Sequence, residues 1–220
     1  MEDSIAKEKV MRAIITALED KGSFDPQLRA DVDGDYFAPI EIGTVPLAFA
    51  ENFVDNGGIF IFCEDTNDLC GKLSLASKNY NWGNIFCNKN IIKAYLERAG
   101  LLYKSDIEKH DSFETGLVLC ESLVARHGSV VVSASSNNDL KLLSSSSNIV
   151  IIADVNQIVG EIKDAMQFLK DKFINSFPPY ISVITGPSKT NAIENKFVVG
   201  GQGPKNIFLF LTNEKINNHG

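Results

Sequence analysis

The chain has 220 residues, of which 44% are hydrophobic, and a formal net charge of −7. This size and apolar content suit one compact domain with a substantial core, and the acidic balance argues against nucleic acid or an anionic membrane as a partner. Because no apolar stretch approaches a membrane span and the N-terminus lacks the pattern of a signal peptide, we expect a cytoplasmic protein.

The N-terminal part is predicted to precede the main domain. Residues 1–21 carry apolar side chains at helical spacing, which predicts a helix used for packing or for oligomerisation. Residues 22–39 are predicted to be a loop from their content of glycine, proline and aspartate. We therefore divide the chain into an N-terminal helix and loop, residues 1–42, and a single α/β domain, residues 43–220.

From residue 46 onward, helical patterns alternate with apolar strands. The predicted helices cover residues 46–55, 67–78, 90–99 and 155–173, and the predicted strands cover 59–63, 84–87, 130–134, 149–153, 180–185 and 207–212. Residues 121–126 are predicted to form a helical turn, and residues 135–139 and 144–148 to form loops. Strands that are apolar throughout and alternate with helices predict an α/β fold, with a mostly parallel sheet covered by helices on both faces.

The four cysteines do not predict a metal site. Cys63, Cys70, Cys87 and Cys120 have no C-x-x-C spacing, so they match neither a zinc knuckle nor a ferredoxin-type cluster. Two of them end apolar strands. This placement predicts small buried thiols in a reducing compartment.

The loop that follows the predicted strand 180–185 has features of an anion site. It breaks at Gly186 and leads into residues 191–197, which are predicted to form a short helix. Asn191 or Thr190 can cap this helix, and Glu194 stands three residues after Asn191, as in a capping box. Unpaired amides and the positive end of the dipole at the start of such a helix suit a phosphate or a carboxylate. The alternative is an ordinary strand–helix–strand connection with well-capped ends.

The residues expected to contact the anion lie in this loop and in a glycine-rich segment behind it. Lys189 brings a formal charge that a simple helix cap would not need, and the hydroxyl residues add donors. The glycines would let a second backbone segment approach the ligand closely. The predicted ligand-binding residues of this region are Thr185, Gly186, Ser188, Lys189, Thr190, Gly200 and Gly203.

The same segment resembles a known family. The order Thr185-Gly-Pro-Ser-Lys-Thr190, Ile193-Glu194 and Gly200-x-x-Gly203-Pro204 before an apolar strand is similar to the C-terminal signature of the lactate-utilisation (LUD) domain, and in particular of its LutC-type members. The resemblance implies a fold of the NagB/RpiA/CoA-transferase-like group, whose members bind sugar phosphates, folate-type anions or CoA thioesters. It also implies a role beside iron–sulfur partner subunits in oxidising L-lactate to pyruvate. This chain would then hold no cofactor, and the iron–sulfur clusters would lie in the partners.

A second turn departs from the family pattern. LUD domains usually carry an acidic residue, a threonine, a glycine and a hydroxyl residue where this chain has Arg126, His127, Gly128 and Ser129. The exchange of acid for arginine inverts the charge, so the role of that carboxylate does not transfer. We hypothesise that Arg126, with Gly128 and Ser129, contributes to anion binding. His127 and Glu194 are the candidate catalytic residues, and the alternative for His127 is a hydrogen-bonded structural histidine.

Two further functions stay open from the sequence. A stand-alone enzyme acting on a phosphorylated or CoA-linked metabolite would need a carboxylate in its pocket, for which Glu121 and Glu194 are candidates. A non-catalytic binding or regulatory subunit would depend on a partner and show no turnover alone.

Ligands of parallel sheets gather beyond the carboxyl ends of the strands, so we expect the loop 185–190 near the start of the pocket.

Overall fold

The computed structural model describes residues 44–134, 137–192, 196–199 and 203–216. The predicted N-terminal helix and loop, Glu194 and Gly200 lie outside these residues. The described helices are α1 (Val45–Asp55), α2 (Thr66–Asn79), α3 (Asn90–Arg98), α4 (Asn137–Ser145) and α5 (Ile162–Lys172). The described strands are β1 (Ile59–Cys63), β2 (Ile85–Phe86), β3 (Phe113–Leu119), β4 (Ser122–Val124), β5 (Ser129–Ala134), β6 (Ser146–Asp154), β7 (Ile158–Val159), β8 (Tyr180–Ile184), β9 (Lys189–Ala192), β10 (Lys196–Val199) and β11 (Asn206–Thr212).

The main sheet has five strands in the order β1-β11-β6-β3-β2, and every pairing in it is parallel. Its central strands are apolar on both faces because each face is covered. In β6, Ile149 and Ile151 pack into one half of the core, and Val150 and Ile152 pack into the other half. The predicted parallel α/β sheet is therefore confirmed.

Helices cover both faces of this sheet, as predicted. Helices α2 and α3 pack on one face through Leu69, Leu73, Ile92 and Leu96. On the other face lie α1, α4 and a second sheet. Complete burial of such side chains stabilises the fold by about 1.5–3 kcal/mol each, so the two halves of the core contribute through many similar contacts.

The second sheet has the order β7-β4-β5-β8 and is mostly antiparallel. Two predictions are wrong here. Residues 121–126 do not form a helical turn, because 122–124 pair with both β5 and β7, and only Ala125–His127 form a 3₁₀ turn. The helix predicted from residue 155 starts at Ile162, because Asp154 caps a separate 3₁₀ turn over Val155–Gln157 that leads into β7.

The predicted loops at residues 135–139 and 144–148 are also wrong over most of their length. Residues 137–145 form α4, and β6 already begins at Ser146. Leu142 and Leu143 of α4 are buried against the sheet, and Ser146 Oγ donates to the Leu142 carbonyl at 2.6 Å. Tertiary packing of an apolar face thus overrides the weak helix propensity of the asparagines and serines.

The helix predicted over residues 191–197 is not formed. Instead, β9 pairs antiparallel with β10, and Phe197 lies opposite Asn191 in that hairpin. The run Phe197-Val198-Val199 is aromatic and β-branched, which favours a strand. Asn191 therefore lies in a strand and does not cap a helix, whereas Glu194 is outside the described residues.

Candidate functional site

The structure brings together the loop 185–188 and the turn 126–129. The hydroxyls of Ser129 and Thr185 lie 2.7 Å apart. The backbone amide of Ser188 donates to the carbonyl of Pro204 at 2.9 Å, and Gly203 lies against the Ser188 side chain. Thr185, Ser188, Ser129 and Gly203 thus belong to one cluster of backbone segments, which we call the signature cluster.

The signature cluster lies at the amino ends of the parallel strands. Gly186 packs against Asn56, which closely precedes β1, and Pro204 closely precedes β11. Strand β8 belongs to the second sheet, where it pairs antiparallel with β5. Its carboxyl end leads to Gly186 and therefore lies beside the amino ends of the parallel strands of the main sheet. The expectation that this loop lies beyond the carboxyl ends of the parallel strands is therefore wrong.

The glycines of the signature cluster make room for the C-terminal end of α1. Gly128 has φ +58°, and a Cβ there would lie 2.3 Å from the backbone of Asn52. Gly186 has φ +70°, and its Cβ would lie 2.3 Å from the Asn56 carbonyl oxygen. Both positions therefore require glycine for conformation and for close packing. Their predicted contacts with a ligand stay predictions.

Asn52 in α1 and Asn56, the C-cap of this helix, hold the turn 126–129 in place. Asn52 Nδ2 donates to the Ala125 carbonyl at 2.9 Å, and Asn56 Nδ2 donates to the His127 carbonyl at 2.8 Å. These bonds fix the backbone around His127. A proton-transfer role for its imidazole stays a prediction.

Arg126 forms an ion pair inside the protein. Its Nε donates to Glu161 Oε1 at 2.6 Å, and its Nη2 contacts the same carboxylate. The hydrogen bond from Arg126 lowers the pKa of Glu161 below its usual range. The guanidinium charge is thus compensated by a carboxylate in this structure, and the hypothesis that it binds an anion remains to be tested.

The hairpin changes the chemistry expected of the predicted anion loop. Lys189 and Thr190 lie in β9, where the backbone pairs with β10. Without a helix start at residue 191, the first-turn amides and the helix dipole no longer support an anion there. The features that still favour an anion at this loop are the charge of Lys189 and the hydroxyl groups of Ser188 and Thr190.

A different group of residues surrounds a cavity of about 360 Å³ beyond the carboxyl ends of β3 and β6. Leu119 is the last residue of β3, and Asp154 is the last residue of β6. This is the edge where parallel α/β sheets bind ligands. We call it the carboxyl-end cavity, and its lining residues are Leu119, Cys120, Glu121, Ile152, Asp154, Asn156, Gln157, Phe168, Lys172, Lys215 and Ile216.

An ion pair between a nearly buried carboxylate and a partly exposed lysine lies in the wall of the carboxyl-end cavity. Glu121 is 7% exposed, and its Oε2 accepts a hydrogen bond from Lys172 Nζ at 2.7 Å. Its Oε1 accepts a hydrogen bond from Ser133 Oγ at 2.6 Å. The sequence indicates Glu121 as a candidate only for the alternative enzyme, and it gives no indication of Lys172. The two residues are 51 positions apart, and no local pattern connects them.

Asp154 organises the neighbouring wall. Its Oδ1 accepts hydrogen bonds from the backbone and side-chain nitrogens of Asn156, each at 2.9 Å. Its Oδ2 accepts from the Ile216 amide at 2.9 Å. These three donors satisfy a buried carboxylate and hold the segment after β11 against the cavity. The short pattern Asp154-x-Asn156-Gln157 after an apolar strand was the signal available in the sequence.

All four cysteines are buried, including Cys63 and Cys87, for which burial was predicted from the ends of apolar strands. Burial raises the pKa of Cys63 and of Cys87 to about 12 and raises the pKa of Cys120, which lines the cavity, further still. Such groups stay protonated near neutral pH and are poor nucleophiles. Within the described residues, no group of three His, Cys, Asp or Glu side chains could hold a metal ion. None of the described helices is long and apolar enough to cross a membrane.

Comparison with known proteins gives three findings. The model of the LUD domain family matches residues 74–212. Lactate utilization protein C of Bacillus velezensis is 29% identical over 112 residues, which are 50% of this chain and 46% of that protein. The chain therefore spans about half the length of this curated relative. A crystal structure of a DUF162 family protein from Deinococcus radiodurans superposes with a TM-score of 0.59 at 14% identity, covering 79% of this chain and 99% of that one, which shows a shared fold.

Proposed function

Because the chain belongs to the LUD domain family, we propose that it is a subunit of a lactate-utilisation system and takes part in oxidising L-lactate to pyruvate. The observation that supports this most is the family match over residues 74–212, which includes the signature cluster and all of the lining of the carboxyl-end cavity except Lys215 and Ile216. The similarity to lactate utilization protein C points to the same system. Fold alone would not suggest it, since one fold hosts many functions.

In this proposal, iron–sulfur partner subunits receive the electrons. Oxidation of a 2-hydroxy acid to a 2-oxo acid removes an electron pair, and an acceptor must take it. Within the described residues, no three His, Cys, Asp or Glu side chains are grouped so that they could hold a metal ion, and the cysteines lack cluster spacing, so we assign the clusters to the partners. This subunit would instead bind a small anionic ligand and contact the partners that carry the clusters.

Reconstitution tests this role. The purified chain, candidate iron–sulfur subunits, and the combination of both are assayed for dye reduction that depends on L-lactate, with D-lactate as the control substrate. We expect the combination to reduce dye at least tenfold faster than either component alone. Activity of the isolated chain would contradict dependence on partners, and a combination no faster than its components would contradict the lactate role.

A second function is favoured by one observation in the structure. Glu121, a candidate carboxylate for a stand-alone enzyme acting on a phosphorylated or CoA-linked metabolite, lines the carboxyl-end cavity. A carboxylate held beside a lysine in a cavity could accept a proton from a substrate. This candidate requires turnover by the isolated chain, so incubation with sugar phosphates and acyl-CoA compounds, followed by product analysis, separates it from the partner-dependent role.

A further inference from the structure

We infer that the carboxyl-end cavity binds a 2-hydroxycarboxylate whose side chain is apolar and larger than the methyl group of lactate. The hydroxy-acid part of this inference rests on the proposed function. The position, the roles of the residues and the larger side chain rest on the cavity itself. The wall divides into a polar corner around Glu121 and Lys172 and an apolar side.

The polar corner can both donate and accept hydrogen bonds. The Lys172 ammonium has three N–H donors, of which one is used by Glu121. The Glu121 carboxylate has about four lone-pair sites, and Ser133 and Lys172 each use one. A 2-hydroxycarboxylate presents an acceptor and a donor on adjacent carbons. Its carboxylate can therefore accept from Lys172 while its hydroxyl donates to Glu121.

The formal charges of the lining balance, since Glu121 and Asp154 are matched by Lys172 and Lys215, so an anionic ligand depends on the free hydrogen-bond donors of the lysines. Lys172 compensates the charge of Glu121 at 2.7 Å. Three N–H donors surround the carboxylate of Asp154, and charge-assisted hydrogen bonds of this kind stabilise a buried anion. Lys215 adds a further positive charge to the lining. The carboxylate of the ligand would lie between the ammonium groups of Lys172 and Lys215.

The apolar side and the size of the cavity favour a ligand whose side chain is larger than that of lactate. Leu119, Ile152, Phe168 and Ile216 line this side. A volume of about 360 Å³ corresponds to about twelve water molecules in the liquid. Lactate has about six non-hydrogen atoms and would leave about half of that space to water, whereas 3-phenyllactate has about twelve and places its ring against the apolar wall.

Binding to the purified full chain, without partner subunits, tests the inference by isothermal titration calorimetry. The probes are 3-phenyllactate, L-lactate and 3-phenylpropanoate, which has the same ring and carboxylate as 3-phenyllactate but no hydroxyl. We expect 3-phenyllactate to bind at least tenfold more tightly than either of the other two. Equal affinity for 3-phenylpropanoate would overturn the hydroxyl contact with Glu121, and equal affinity for lactate would overturn the larger side chain.

Two charge reversals locate the site. Lys205 immediately precedes β11 and Lys215 follows it, so the same strand carries an exposed lysine at each end. Lys215→Glu should weaken 3-phenyllactate binding about tenfold, because it replaces attraction by repulsion within a few ångströms of the ligand carboxylate. Lys205→Glu makes the same change in net charge at the amino end and should leave the affinity within twofold. An equal loss in both variants, or a loss confined to Lys205→Glu, would place the anion elsewhere.

Truncation of the apolar wall gives an independent readout. Phe168 is 45% exposed, so Phe168→Ala should keep the fold, which its melting temperature checks. We expect this variant to weaken 3-phenyllactate at least fivefold and L-lactate less than twofold. Unchanged binding of 3-phenyllactate would overturn the inference. Lactate oxidation in the reconstituted system without 3-phenyllactate binding would also overturn it, and the proposed function would stand.

Discussion

At the amino ends of the parallel strands, glycines and hydroxyl residues pack against one another, whereas at the carboxyl ends charged side chains surround a cavity. In the signature cluster, the glycines allow the backbone at the end of α1 to approach closely, and the hydroxyls of Ser129 and Thr185 form a hydrogen bond with each other. In the carboxyl-end cavity, Glu121, Lys172 and Lys215 line a volume of about 360 Å³. The part of the chain that matches the family includes the signature cluster, Glu121 and Lys172, but not Lys215.

The comparison of the signature cluster with the carboxyl-end cavity shows that a glycine-rich motif can have either of two physical explanations. Glycine permits close approach of a backbone segment, and the approaching group can be a ligand or another segment of the same protein. At Gly128 and Gly186 the approaching group is the backbone around Asn52 and Asn56. Charged side chains are more informative when they are nearly buried, because their desolvation must be compensated by a partner. Glu121 is nearly buried, and its charge is compensated by Lys172.

The largest expected effect is the cost of adding a methyl group to the signature cluster. Gly128→Ala forces a residue at φ +58° and places Cβ 2.3 Å from the Asn52 backbone, so we expect the free energy of unfolding to fall by about 3 kcal/mol or more. Urea unfolding measures it. Gly71→Ala is the matched control: it lies in α2 with open space around it and should stabilise by about 0.5–1 kcal/mol. Equal stabilities of the two variants would contradict packing as the reason for this glycine.

The next effect concerns the ion pair of the carboxyl-end cavity. Lys172→Met leaves Glu121 nearly buried without its cation, and we expect a loss of about 2 kcal/mol, since Lys172 itself is partly exposed. Glu121→Gln keeps an oxygen for Ser133 and removes the charge. In that background, Lys172→Met should cost less than about 0.5 kcal/mol. A double-mutant cycle by urea unfolding measures the coupling, and additive losses would show that the pair does not interact.

A smaller effect is expected from the ion pair at the signature cluster. Arg126 lowers the pKa of Glu161, so the stability from this pair is present above the pKa of Glu161 in the unfolded chain, about 4.3, and is lost as the pH falls through the lower folded pKa. Between pH 6 and pH 3, Glu161→Gln should lose about 0.5–1 kcal/mol less than the unmodified protein. Arg126→Gln should change the pH profile in the same way, and opposite changes would count against the pair.

The smallest effect tests the anion loop predicted from the sequence. If Lys189 binds a phosphate or sulfate, Lys189→Ala should reduce the rise in melting temperature that these anions cause, because a ligand stabilises the native state according to its concentration relative to its dissociation constant. Lys163→Ala, at an exposed position of α5, serves as the control. Equal shifts in both variants and in the unmodified chain would assign the anion to another place, of which the carboxyl-end cavity is the obvious one.

Sequence patterns determined the parallel sheet, its covering helices and the burial of the cysteines, because each depends on the local spacing of apolar residues along a strand or helix. Strands β5 and β8 were predicted, but the second sheet that they form with β4 and β7 was not: a three-residue strand such as β4 exists only because β5 and β7 pair with it. The same holds for residues 189–199, where the hairpin replaced a helix that the capping pattern favoured.

The tertiary structure alone decided which end of the sheet each site residue occupies. The direction of β8 depends on its pairing with β5, so the sequence could not show that the loop 185–188 lies at the amino ends of the parallel strands. Contact between Glu121 and Lys172 likewise depends on how α5 packs, across 51 positions of the chain. Local periodicity describes the neighbours of a residue along the chain, whereas a site is formed by residues that folding brings together from distant positions.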